Sequence, residues 1–183
     1  MKKFKVLGMM SGTSLDGLDM ACCHFCKDAE GWDFEIFQTN TISYSDDLYQ
    51  NLKNAIHLSK QQHQQLHLDY GLWLGQQAKA FIENHKLQID FIASHGHTSH
   101  HRPEEGITFQ LGEGQQLADA SGHQVICDFR SLDVALGGQG APLVPVGDAL
   151  LFSEYRFCLN LGGISNISFD KNGTSVIWAV YGS

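Results

Sequence analysis

Gly8-Met9-Met10-Ser11-Gly12-Thr13-Ser14-Leu15-Asp16-Gly17-Leu18-Asp19 decides how the rest of this chain is read. Residues 4–9 before it and 19–25 after it read as strands, so the stretch is a turn between two strands. Gly12 and Gly17 allow a sharp reversal and a close approach of backbone N–H groups to a ligand. Ser11, Thr13 and Ser14 add hydroxyl donors that suit phosphate oxygens. Asp16 and Asp19 suit a hydrated Mg2+, which favours few carboxylates and several waters. Neither the Gly-Lys-Ser/Thr of a P-loop nor a Gly-x-Gly-x-x-Gly spacing is present. A polar hairpin turn with no ligand would use the same residue types, so the stretch alone leaves both readings open.

Working outward, a third strand is expected at 34–44 after the Glu30-Gly31 turn, and short turns between three strands imply an antiparallel start to a sheet. Asp46 is read as a helix N-cap, with Leu48, Leu52 and Ile56 at helical spacing, and a long helix is expected over 61–86. A short buried strand at 90–94 should end at His95-Gly96-His97. Further strands are expected at 108–111, 125–128, 157–161, 166–169 and 175–179, and helices at 115–120 and 144–151. Gly137–Pro142 is read as a loop, Gly162-Gly163 as a sharp strand end and Asn172-Gly173 as a two-residue hairpin turn. The expected fold class is α/β: a mixed sheet with flanking helices. Residues 1–156 would form a front lobe, and 157–183 the start of a second lobe. A polar loop between two opening strands matches the phosphate-clasping hairpin of the actin/hexokinase-like (ribonuclease H-like) class.

Composition bounds the partners. Twelve Lys and Arg against twenty Asp and Glu leave a formal charge of −8. Such a surface repels a nucleic-acid backbone and an anionic membrane, so neither is expected as a partner. A nucleotide triphosphate is also an anion, and would have to be held by local N–H groups. The basic start lacks the apolar run of a signal peptide, and no stretch approaches the roughly 20 apolar residues of a membrane span. Five cysteines, three of them at 22, 23 and 26 on one expected strand, suit reduced thiols in a cytoplasmic protein.

Residues 10–19 resemble the signature of the anhydro-N-acetylmuramic acid kinases, a branch of the sugar kinase/actin/heat-shock ATPase superfamily. Ser94-His-Gly-His-Thr98, Phe109-Gln-Leu-Gly-Glu113, Cys127-Asp-Phe-Arg130, Gly137-Gly-Gln-Gly-Ala-Pro-Leu-Val-Pro145 and Asn160-Leu-Gly-Gly-Ile-Ser-Asn166 resemble that family's other blocks, in its order. The resemblance implies a kinase that opens 1,6-anhydro-N-acetylmuramic acid with water while phosphorylating it from ATP and Mg2+. It implies that Ser11, Gly12, Thr13, Ser14, Leu15, Asp16, Gly17, Leu18 and Asp19 bind the ATP phosphates, with Asp16 and Asp19 on the metal. It places His95, His97, Asp128, Arg130 and Asp133 towards the sugar. Arg130 suits the lactyl carboxylate through a bidentate contact; pairing with Asp128 or Asp133 is the competing use. His95 and His97, at i and i+2, could share a strand face, which would also permit zinc, although the resemblance accounts for them without a metal.

Members of the family are about twice as long by resemblance, and continue with an aspartate that acts as general base. That aspartate is not found here, so the catalytic base is unknown. The chain is expected to be a front half with negligible turnover alone, either a binding remnant or an interaction module if not part of an enzyme. It is expected to form a homodimer through the face that a second lobe would cover.

Overall fold

The computed structural model describes residues 1–161, 165–171 and 174–180, with side chains through residue 169. β1 (Lys2–Ser11), β2 (Leu18–Lys27) and β3 (Trp32–Ile42) form the antiparallel opening that the short turns imply. Each is longer than expected or shifted by a residue or two, because pairing extends through Lys2–Lys27 and Leu18–Ile42. α1 (Asp46–Lys53) is capped by Ser45, whose side chain accepts from the Leu48 N–H, so Asp46 is the first helical residue rather than the cap. Asp46 and Asp47 instead favour the positive end of the helix dipole. α2 (Lys60–Asn84) begins at a capping box of Ser59 and Gln62.

β4 (Phe91–Arg102) does not end at the histidines but runs on to Arg102, because β5 (Ile107–Leu111) folds back along its second half. α3 (Gly114–Ser121) follows, then β6 (Val125–Ile126), parallel to β4. The expected strand at 125–128 is shorter because Asp128 adopts φ +55° and its carboxylate accepts the Ser131 N–H, opening α4 (Ser131–Ala135), a helix the sequence reading missed. α5 (Val144–Leu151) precedes β7 (Phe157–Asn160), β8 (Ser165–Lys171) and β9 (Thr174–Val180). The main sheet has the order β3-β2-β1-β4-β5, with β6 also on β4; β7-β8-β9 form a separate antiparallel sheet. Parallel and antiparallel pairs in one sheet flanked by helices make the fold α/β, of the ribonuclease H-like kind. The two expected turns, Gly162-Gly163 and Asn172-Gly173, lie outside the described residues.

Alternation along β1 explains the core. Leu7 and Met9 face one side with Leu18, Met20, Cys22 and Ile92, all 3% exposed or less, and Leu66, Tyr70, Leu74, Ala78 and Phe81 of α2 cover them. α3 packs closely on α2 because Gly71 and Gly75 face it: a Cβ on Gly75 would lie 2.6 Å from that of Ala120. The opposite sheet face carries Phe4, Val6, Phe25 and Phe91, which line an apolar cavity of about 410 Å³ beneath α5. Ser168 donates to Asp148 and Phe152 meets Phe34 edge-on at 5.6 Å, tying the small sheet and α5 to the large one.

One polar line enters the α2 side of this core. Tyr70 (1% exposed), Tyr44, Ser11 (1%) and His97 (3%) touch in sequence, with oxygen–oxygen and oxygen–nitrogen distances of 3.2, 2.6 and 3.0 Å. Burial, with His95 acting in the same direction, pushes His97 down to about 4. An unfolded chain takes up this proton near pH 6.5, so between 6.5 and 4 the unfolded state binds more protons. The His97 contribution to stability is therefore intact above pH 6.5 and lost as pH falls towards 4; His63, His67, His95 and His101, also shifted down by burial, act in the same sense. Urea midpoints should fall across this window, and His97→Gln should lessen the fall by on the order of 3 kcal/mol. Identical pH slopes for parent and variant would show that His97 titrates normally in the fold.

Candidate active site

The site grows from the point where β1 and β4 run parallel and both change direction. Their register passes from Met9 opposite Ser94 to Ser11 opposite His97, so β4 carries an extra residue opposite Met10. Gly96 absorbs it at φ +69°. This bulge corrects the expectation that His95 and His97 share a face. Ser94 and His97 lie on the side of Met9 and Ser11, and His95 turns out of that side towards Arg130.

The turn between β1 and β2 is closed by the Leu15 N–H donating to the Gly12 carbonyl at 3.1 Å. Leu15 stands at φ +58°, a strained conformation for a branched side chain, and is held there by packing on the core beside fully buried Leu18. The two glycines of the turn serve different ends. Gly17, at φ +149°, has the Ile42 carbonyl oxygen 2.7 Å from where a Cβ would stand, so the fold itself requires it. Gly12 has no such demand: the nearest atom to an added Cβ is the flexible Ser14 Oγ at 3.2 Å. Its side of the turn is open.

Thr13 and Ser14 are exposed, whereas Ser11 is directed inward to His97 and Tyr44 and offers no free hydroxyl to a ligand. Asp16 Oδ1 accepts from Ser14 Oγ at 3.0 Å, and Asp19 Oδ1 accepts from Thr41 Oγ1 at 2.6 Å. The second oxygen of each exposed carboxylate has no partner among the described residues, a donor set that fits a Mg2+ keeping most of its waters.

On the other side of β4, Arg130 is half-buried. Its Nε donates to His95 Nε2 at 2.9 Å and its Nη1 to the Gly140 carbonyl; His95 Nδ1 in turn donates to the Gly96 carbonyl at 3.0 Å. The competing pairing of Arg130 with Asp128 or Asp133 is not formed. Among the described residues the only ion pair within 4 Å joins Arg102 and Glu105. Asp128 accepts the Ser131 N–H at the start of α4 at 3.3 Å, and Asp133 accepts the Gly140 N–H at 2.6 Å, shaping the loop of residues 137–142. These two carboxylates support Arg130 rather than neutralise it. Burial lowers the pKa of the guanidinium, His95 is lowered by burial and by Arg130, and Nη2 has no partner among the described residues. A half-buried cation with only neutral partners is poised for an anionic group.

Sequence reading missed Tyr44 and Tyr70 as parts of the site. Tyr44 ends an expected strand and Tyr70 sits on an apolar helix stripe, so nothing local marked either as a neighbour of Ser11.

The profile of the anhydro-N-acetylmuramic acid kinases matches residues 4–179. Among relatives of that name, one from Pseudoalteromonas translucida is 36% identical over 93% of this chain, and one from Pseudoalteromonas atlantica 38% over 90%. One from Bacillus cereus is 35% identical over 89%. The alignments span 47%, 45% and 46% of those relatives, so the chain covers about half their length. The matched region takes in the turn, both histidines and the Arg130 arm, and on that coverage the chain belongs to the anhydro-N-acetylmuramic acid kinase family.

Proposed function

We propose that this chain supplies the nucleotide- and sugar-binding front lobe of a cytoplasmic, ATP-dependent kinase of 1,6-anhydro-N-acetylmuramic acid. The observation that carries the reading is Arg130. Its guanidinium meets the β4 bulge through His95, on the side of β4 away from the turn, and has no carboxylate partner; the lactyl carboxylate of a muramic sugar would supply the missing charge. Across β4, the open side of Gly12 admits phosphate oxygens to backbone N–H groups, with Thr13 and Ser14 as hydroxyl donors. Asp16 and Asp19 would hold Mg2+, which offsets the charge that develops on the phosphoryl oxygens. His95 holds Arg130 in place, and His97 stays behind the turn. The five free cysteines suit a reducing compartment.

The two glycines separate binding from folding. Calorimetry with Mg2+ and a non-hydrolysable ATP analogue should show Gly12→Val weakening binding at least about tenfold, with little change in thermal midpoint. Gly17→Ala should lower the midpoint instead, because its Cβ meets the Ile42 carbonyl. Equal nucleotide affinity in Gly12→Val and parent would remove the turn from consideration.

Arg130→Met should weaken binding of the muramic sugar by about 10- to 100-fold, the range for a charge-assisted hydrogen bond. It should leave the corresponding anhydro-N-acetylglucosamine, which lacks the lactyl carboxylate, unaffected. Parallel losses for both sugars would assign Arg130 a structural role only.

Association is read from the exposed apolar side chains of Leu132, Leu136, Val146, Leu150, Leu159 and Leu161, each 49–79% exposed. Light scattering at micromolar concentration should report a homodimer, and Val146→Asp with Leu150→Asp should dissociate it. A monomeric parent chain would overturn this part.

A further inference from the structure

Tyr70, Tyr44, Ser11 and His97 form a line whose direction follows from counting protons. The Tyr44 hydroxyl donates to Ser11 Oγ at 2.6 Å. A phenol has one proton, so the 3.2 Å contact between the two tyrosines must run from Tyr70 to Tyr44. Ser11 Oγ, already accepting from Tyr44, turns its own proton to His97 Nδ1 at 3.0 Å. An imidazole that accepts at Nδ1 carries its proton on Nε2. In the reverse arrangement, with His97 donating to Ser11, Ser11 to Tyr44 and Tyr44 to Tyr70, the Tyr70 proton would have no acceptor among the described residues in a side chain only 1% exposed, which is costly.

The line ends at the phosphate turn. Ser11 is the last residue of β1 and Gly12 the first of the turn, so whatever holds Ser11 sets the angle at which the turn leaves the sheet. Ser11 is held on both sides, by Tyr44 beyond the end of β3 and by His97 across from it on β4. Tyr44 is itself held, its ring 5.6 Å from that of Trp73. Burial is the main effect that raises the Tyr44 pKa, and the negative charges of Asp16 and Asp19 add to it, so Tyr44 and the turn's carboxylates lie within electrostatic reach.

We propose that Tyr44 is a positioning residue for the phosphate turn: by donating to Ser11 it commits the serine proton to His97 and holds residues 12–17 in the conformation that receives a nucleotide. The nucleotide part rests on the function proposed above; the positioning of the turn does not. Tyr44 touches no reacting atom in this scheme and acts through Ser11.

The experiment uses the 183-residue chain, isotope-labelled, and three variants. Tyr44→Phe keeps the ring and its contact with Trp73 but removes the donor. Ser11→Ala removes the relay and leaves Tyr44 in place. Tyr70→Phe removes only the outermost link. Imidazole 15N signals should show His97 in the parent and in Tyr70→Phe as the Nε2–H tautomer alone. Both tautomers should appear in Tyr44→Phe, and the hydrogen bond at Nδ1 should be lost in Ser11→Ala. Amide signals of residues 12–17 should move in Tyr44→Phe and Ser11→Ala but not in Tyr70→Phe. Affinity for the Mg2+-bound ATP analogue should fall about tenfold in those same two variants, as expected for one lost hydrogen bond. A single tautomer and unmoved turn amides in Tyr44→Phe would overturn the proposal, whatever the affinity. Moved amides with a changed tautomer, in a parent chain that binds no nucleotide, would support the positioning and count against the nucleotide reading instead.

Discussion

The parallel pairing of β1 with β4, and the single extra residue that interrupts it, is the constraint on which the rest of the site depends. Up to Met9 and Ser94 the two strands are an ordinary core pair, with Leu7 and Ile92 fully buried beneath α2. Beyond that point the bulge at His95 and Gly96 divides two neighbouring histidines between the two sides of the sheet. His97 goes to the interior and holds Ser11, the root of the turn at residues 12–17. His95 goes the other way and holds Arg130, among the described residues the one half-buried cation, which has no carboxylate within 4 Å. A strand without the bulge would place both imidazoles on one face, and either the turn or the arginine would lose its support.

This division also settles an electrostatic difficulty. A chain with a formal charge of −8 has no general attraction for anions, and two of its acidic residues flank the proposed phosphate turn. Local structure supplies what the overall charge does not. In the proposed site the turn would offer backbone N–H groups on the open side of Gly12, and the far side of β4 offers a guanidinium whose hydrogen bonds go to the His95 imidazole nitrogen and the Gly140 carbonyl rather than to carboxylates. Asp128 and Asp133, the nearest acidic candidates, are occupied with backbone N–H groups. Their charge is spent on shaping α4 and the loop at 137–142, which leaves Arg130 available.

Residues of one type serve different physical ends here. Gly17 is required because a carbonyl of β3 lies where its side chain would be, Gly75 because α3 lies against α2, and Gly12 by nothing within the chain. Serines divide likewise: Ser45 and Ser59 cap helices, Ser14 meets Asp16 at the surface, and Ser11 belongs to the core. The distinction lies in what each residue touches.

Much of the architecture was legible from order alone. Turn residues between short apolar runs are local signals, so the three opening strands, the long α2 with its apolar stripe and the α5 segment could be read directly, as could the polar turn at 12–17. Membership of the kinase family was legible too, because several motifs stand in register along the chain. Contacts between distant residues were not. That β4 continues past its histidines depends on β5 folding back along it, and that 125–128 is a strand for only two residues depends on Asp128 reaching forward to Ser131. Sequence pointed to Ser11 as a phosphate donor because a hydroxyl beside a glycine turn is chemically suited to that use. Only tertiary structure could bring Tyr44, 33 positions away, and His97, 86 away, onto the same oxygen. Local propensity determines which residues can bend or cap, whereas the pairing register between distant strands decides which hydroxyls and imidazoles remain free for a ligand.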